Sequence, residues 1–121
     1  MKLWLSSLFF LLLSQPLLLG QKTATSPNLQ KGMNALADGL WEIAEQNFRA
    51  RLSEPKLTPE EKSEANLRLA ESLIRAGNPN EALSLLAQPV VSKNSETPFW
   101  KAQALVGKNR FKEATEVSRL Y

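Results

Sequence analysis

Past residue 25, apolar residues recur at intervals of three and four, in stretches separated by short polar runs that carry proline or glycine. Leu29, Met33, Leu36 and Ala37 share one face of a first segment, and Leu40, Ala44, Phe48 and Leu52 share a face of a second. Leu69, Ala70, Leu73 and Ile74 form a third stripe; Ala82, Leu83, Leu85 and Leu86 form a fourth. Such spacing is helical, because a strand needs strict alternation. The one β-branched apolar pair, Val90-Val91, lies between Pro89 and Pro98 and reads as loop, so no strand is expected. The pattern predicts an all-α chain with helices near 27–38, 40–53, 59–76, 79–88, 98–107 and 110–120.

Punctuation residues sharpen these boundaries. Ser26-Pro27, Thr58-Pro59 and Thr97-Pro98 each place a hydroxyl before a proline, and Asn78-Pro79 is a variant with Asn. A side-chain oxygen at the cap accepts an otherwise orphaned N–H, and proline suits the first helical position because its missing donor costs nothing there. Thr58-Pro59-Glu60-Glu61 also has the spacing of a capping box. Gly77 and Gly107 follow apolar runs and are expected to end helices in the left-handed conformation, and Gly39 separates the first helical run from the second.

The first twenty residues have a different character. Met1–Gly20 carries a single charge, Lys2, ahead of a run from Leu3 to Leu13 that is almost wholly apolar. A basic start, an apolar stretch and a small residue soon after form the pattern of a secretory signal peptide, with Pro16 ending the apolar helix and cleavage expected after Gly20. The competing expectation is an uncleaved anchor over residues 3–19, which is short for a span and interrupted by Ser14, Gln15 and Pro16. Either way the chain is expected to be exported, periplasmic or secreted in the first case and held at the inner membrane in the second. Residues 21–25 form a short polar leader.

The whole chain has 121 residues, a formal charge of +3 and no cysteine or histidine. Disulfides, thiolate zinc sites, cysteine nucleophiles and imidazole chemistry are therefore outside its repertoire. Glu60, Glu61 and Glu64 are the nearest approach to paired carboxylates, but they occupy a first helical turn, where negative charge complements the helix dipole. Arg49, Arg51, Lys56, Lys62, Arg68 and Arg75 are interleaved with glutamates, and Lys108, Arg110 and Lys112 are followed by Glu113 and Glu116. These are solvated faces without a nucleic-acid stripe or a phosphate loop. No catalytic residue, cofactor or metal is expected, and the chain is read as a non-enzyme.

Aligned turns expose an internal repeat. Gly39-Leu40-Trp41-Glu42-Ile43-Ala44, Gly77-Asn78-Pro79-Asn80-Glu81-Ala82 and the stretch from Gly107 to Ala114 each run from glycine to alanine through the start of a helix. Trp41 and Phe111 stand three before their alanines, and Pro79 departs from that. The spacing of the alanines is close to the period of a tetratricopeptide repeat, and residues 26–121 resemble that family. The resemblance implies antiparallel helix pairs stacked as an α-solenoid of about three units, 26–57, 58–96 and 97–121, the last incomplete and without a capping helix. A generic antiparallel bundle is the alternative. Since a helix pair cannot bury both faces alone, the uncapped end is expected to continue into more chain, the alternatives being that it pairs with another chain or stays apolar and wet.

The resemblance also implies roles for individual residues. Gly32, Ala70 and Ala102 would be the small residues of the first helices, and Ala44, Ala82 and Ala114 those of the second, with Phe48 and Leu86 as the large residues packed beside them. A groove for a protein or peptide guest would be lined by Leu29, Met33 and Leu36, by Leu67, Glu71 and Ile74, and by Phe99, Gln103 and Val106. Lys31, Ser118 and the displaced Pro55 depart from the family pattern. The expected function is a binding scaffold, with an N-terminal structural segment of a larger envelope-assembly protein as the alternative. No nucleic-acid partner is expected, and membrane contact is expected only through the signal segment.

Overall fold

The computed structural model describes residues 26–108 and 116–119. The expectations for residues 1–20, for Phe111 and for Ala114 lie outside them. Within residues 26–108 six helices run in order: α1 (Pro27–Ala37), α2 (Trp41–Leu52), α3 (Pro59–Arg75), α4 (Pro79–Leu86), α5 (Pro89–Ser92) and α6 (Thr97–Gly107). Of the stretch expected to be helical near 110–120, residues 116–118 are described as helix. No strand occurs among the described residues, and no helix among them is long and apolar enough to cross a membrane.

Consecutive helices pack in pairs. α1 lies against α2, α2 against α3, α3 against α4, and α4 against α6, while α3 touches all five others. That central position explains why α3 is buried nearly all round at Ala65, Asn66, Leu67 and from Leu69 to Leu73. A one-sided apolar stripe is the signature of a surface helix, so the stripe on α3 passes over Leu67. The main core joins Leu67, Leu69 and Leu73 to Ala35, Ala44, Phe48, Ala70, Ala82, Leu86, Val91 and Trp100. A smaller cluster gathers Ala102 and Leu105 with Leu83 and Val117.

The α1–α2 contact depends on the absence of a side chain. A Cβ at Gly32 would lie 2.6, 2.8 and 2.9 Å from three ring carbons of the fully buried Phe48. On α1 the buried residues are Gly32 and Ala35, and the larger Met33 is left exposed. Close approach thus selects the small residues of this helix for the interior.

Helix ends agree with the sequence at some points and correct it at others. Gly39 and Gly77 adopt φ of +75° and +89°, the left-handed conformation that glycine reaches without a steric penalty. Gly107 does not, because α6 runs through it and Lys108 caps the helix instead. Thr58 completes its capping box: the Glu61 N–H donates to Thr58 Oγ1 at 3.1 Å, and the Thr58 N–H donates to Glu61 Oε1 at 3.0 Å. Ser26 and Asn78 sit at cap positions without making the side-chain bond. Thr97 lies inside α6, and its hydroxyl donates to the Val91 carbonyl at 2.7 Å. The Val90-Val91 loop is corrected as well: Pro89–Ser92 forms one helical turn that seats Val91 in the core.

Candidate interaction surface

Three arginines, each spending its charge on carboxylates, bind the helices together. Arg51 donates through Nη1 to Glu54 at 2.7 Å and through Nη2 to Glu61 at 2.6 Å, joining the end of α2 to the start of α3. Glu54 also accepts from Ser26 Oγ at 2.6 Å and Asn28 Nδ2 at 2.9 Å, which ties in the start of α1. Those two donors, followed by Arg51, hold the Glu54 carboxyl down at about 2. The Thr58 backbone N–H, then the Thr58 hydroxyl and Arg51, lower that of Glu61. Both groups are anionic at neutral pH.

Arg68 donates to Glu64 at 3.0 Å, to Glu71, and across to Glu96 at 2.6 Å, just ahead of α6. Burial disfavours the Arg68 cation, but Glu96, Glu64 and Glu71 outweigh it and raise its pKa. On the surface Arg49 links α2 to α4 through Glu81 at 2.6 Å. Arg51, Arg68 and Glu71 are thus structural ties. Among the described residues, no group of three or more acidic side chains is placed to hold a metal ion.

The nine residues expected to line a groove divide into three groups. Met33, Phe99 and Val106 are large apolar side chains exposed to 40%, 39% and 43%, and Gln103 is exposed beside the last two on α6. Leu29, Leu36 and Ile74 are half-buried and pack against the core, offering only an edge. Leu67 and Glu71 are buried. Leu67 is fully enclosed and lines no surface, and the Glu71 carboxylate is engaged by Arg68 and Arg75. Of the residues assigned to helix-pair packing, Gly32, Ala44, Phe48, Ala70, Ala82, Leu86 and Ala102 are all buried in the structure.

A second apolar region lies at the turn between α1 and α2. Gly39, Leu40, Trp41, Glu42, Ile43, Arg75 and Ala76 line an open trough of about 370 Å³, with Leu40 and Ile43 nearly half exposed. The sequence stripe places Leu40 inside a helix, but it is the residue before α2 and faces outward. The Arg75 guanidinium sits 5.3 Å from the Trp41 ring centre and 5.6 Å from that of Trp100, within cation–π range of both. Trp100 in turn meets Phe99 edge to face with centroids 4.9 Å apart. This row of rings joins α2, α3 and α6. Sequence reasoning missed it, because the contacts join residues far apart in the chain.

No protein-family model matches the chain, and no curated protein or solved structure matches it either. What the fold defines is an all-helical protein built of packed consecutive helix pairs.

Proposed function

We propose that the protein is a non-enzymatic binding module, an exported scaffold of tetratricopeptide-repeat type that holds a protein or peptide on the face formed by α1, α3 and α6. The observation that carries this reading is the exposure of Met33 on α1 and of Phe99 and Val106 on α6. These are large apolar side chains on two helices that both contact α3; α1 turns its small Gly32 and Ala35 inward, and α6 buries Trp100 and Leu105 together with its alanines. Large apolar side chains left in water on neighbouring helices are what a partner's apolar surface would cover. The solenoid reading is supported by the alternation of helices. α3 contacts both α1 and α6, and the exposed Arg49–Glu81 pair bridges α2 to α4. The export reading is supported only by the sequence of Met1–Gly20.

The test is capture of a partner from an envelope fraction by the full chain and by a Met33→Ser, Phe99→Ser, Val106→Ser variant. Loss of capture with unchanged helical circular dichroism is expected. Equal capture by the variant would refute the assigned face. Ile74→Glu is unsuitable here, because Ile74 packs against the core and the charge would unfold the domain. Exposure of Val106 at the end of α6 also favours the alternative of a structural segment that stacks on further chain. Under that reading the isolated protein self-associates in size measurements, and Val106→Ser makes it monomeric.

A further inference from the structure

We propose that the trough between Leu40, Ile43 and Arg75 is a docking site for an acidic side chain carried within an apolar, extended segment of a partner protein. This rests on the reading of the protein as a peptide-binding module and places a site outside the α1/α3/α6 face.

Arg75 uses few of its donors. Its Nε donates to Glu71 Oε2 at 3.3 Å, a long contact within their ion pair, and neither Nη group has a hydrogen-bond partner among the described residues. Trp41 and Trp100 both lie within cation–π range of the guanidinium and restrain it before any ligand arrives. The side chain is nevertheless 46% exposed. Elsewhere the contrast is plain: Arg51 and Arg68 each use both Nη groups on carboxylates. A guanidinium held by rings with its donor edge free is matched by a planar carboxylate, which can take two parallel hydrogen bonds.

The rest of the trough specifies what accompanies that carboxylate. Leu40 and Ile43 supply exposed apolar wall beside Arg75, which suits leucine, isoleucine or phenylalanine next to the acid in the guest. The trough is open to solvent, so an acidic side chain within a segment laid over Leu40 and Ile43 can reach Arg75. Glu42 stands on the same wall and is exposed. It limits affinity for an acidic guest, so its removal gives a test that unfolding cannot imitate.

The experiment titrates the full chain with capped octapeptides in which one glutamate lies between leucine, isoleucine or phenylalanine residues. The signal is tryptophan fluorescence, since Trp41 and Trp100 flank Arg75. Glutamate peptides are expected to bind about tenfold more tightly than their glutamine counterparts, with added salt narrowing the gap. Arg75→Gln should abolish that preference, Ile43→Ser should weaken all the peptides, and Glu42→Gln should strengthen the glutamate series about twofold. Equal binding of the glutamate and glutamine series would overturn the proposal. So would tighter binding of an uncapped leucine peptide that presents only a chain end. Peptide binding abolished by Phe99→Ser but indifferent to Arg75→Gln and Glu42→Gln would sink the trough while leaving the binding-module reading intact. Failure of every peptide to bind would count against both.

Discussion

Replacing Gly32 by alanine tests the packing on which the helix pairs depend. Alanine is the better helix former, by about 0.8–1 kcal/mol in an exposed interior position, so propensity alone predicts a more stable protein. The structure predicts the reverse. The new Cβ would sit 2.6–2.9 Å from three carbons of the Phe48 ring, where carbon atoms need about 3.5 Å or more. Phe48 is fully buried and its ring is rigid, so relief requires α1 to move away from α2. Three carbons closer than 3.0 Å put this overpacking in the upper part of the usual range, about 2–3 kcal/mol, and after the helix gain the net loss is about 1–2 kcal/mol. For a domain of this size that lowers Tm by roughly 4–16 °C in a far-ultraviolet circular dichroism melt. Gly107→Ala is the matched control. There the Cβ would meet Pro79 at an ordinary 3.7 Å, so Tm should hold or rise slightly. Phe48→Leu should relieve part of the clash, giving a coupling above about 0.5 kcal/mol in the double-mutant cycle. A Gly32→Ala protein as stable as the wild type would refute the close approach of α1 and α2.

Three further outcomes follow from the polar contacts. Glu54 has a folded-state pKa of about 2 against an ordinary 4.5, so its contribution is complete above about pH 4.5 and is lost as the pH falls toward 2. Urea midpoints should therefore drop across that window in the wild type, and drop less in Glu54→Gln. Arg68→Met leaves the buried Glu71 with only the long Arg75 contact. The cost should be about 2–3 kcal/mol by urea unfolding, below the usual figure for a broken buried pair because Glu64 and Glu96 can turn to water. Thr58→Ala breaks the capping box and should cost about 1 kcal/mol, whereas Asn78→Ala, at a cap that makes no side-chain bond, should change little.

These predictions also show how far the sequence was legible. The capping box at Thr58 and the left-handed turn at Gly77 depend on residues within a few positions of each other, and local spacing found them. Thr97 carries the same local signal, but its hydroxyl is drawn to the Val91 carbonyl across a buried turn. The prolines around Val90-Val91 read as loop because one helical turn is too short to show a period. Hydrophobic stripes also favour large residues, so on α1 they single out Met33 in place of Gly32 and Ala35, which close packing buries. The ties Arg51–Glu61, Arg49–Glu81 and Arg68–Glu96, and the ring contacts of Arg75, join positions ten or more apart. Nothing in the sequence around any of these residues announces its partner.

The most direct test of the binding-module reading is an amide-shift map of the isotopically labelled full chain, titrated with a partner protein captured from the envelope fraction. The account predicts saturable shifts that cluster at Met33, Phe99, Gln103 and Val106, with the interior around Phe48 and Leu67 unmoved. Shifts confined to other surfaces, or none at a concentration where capture is complete, would contradict it.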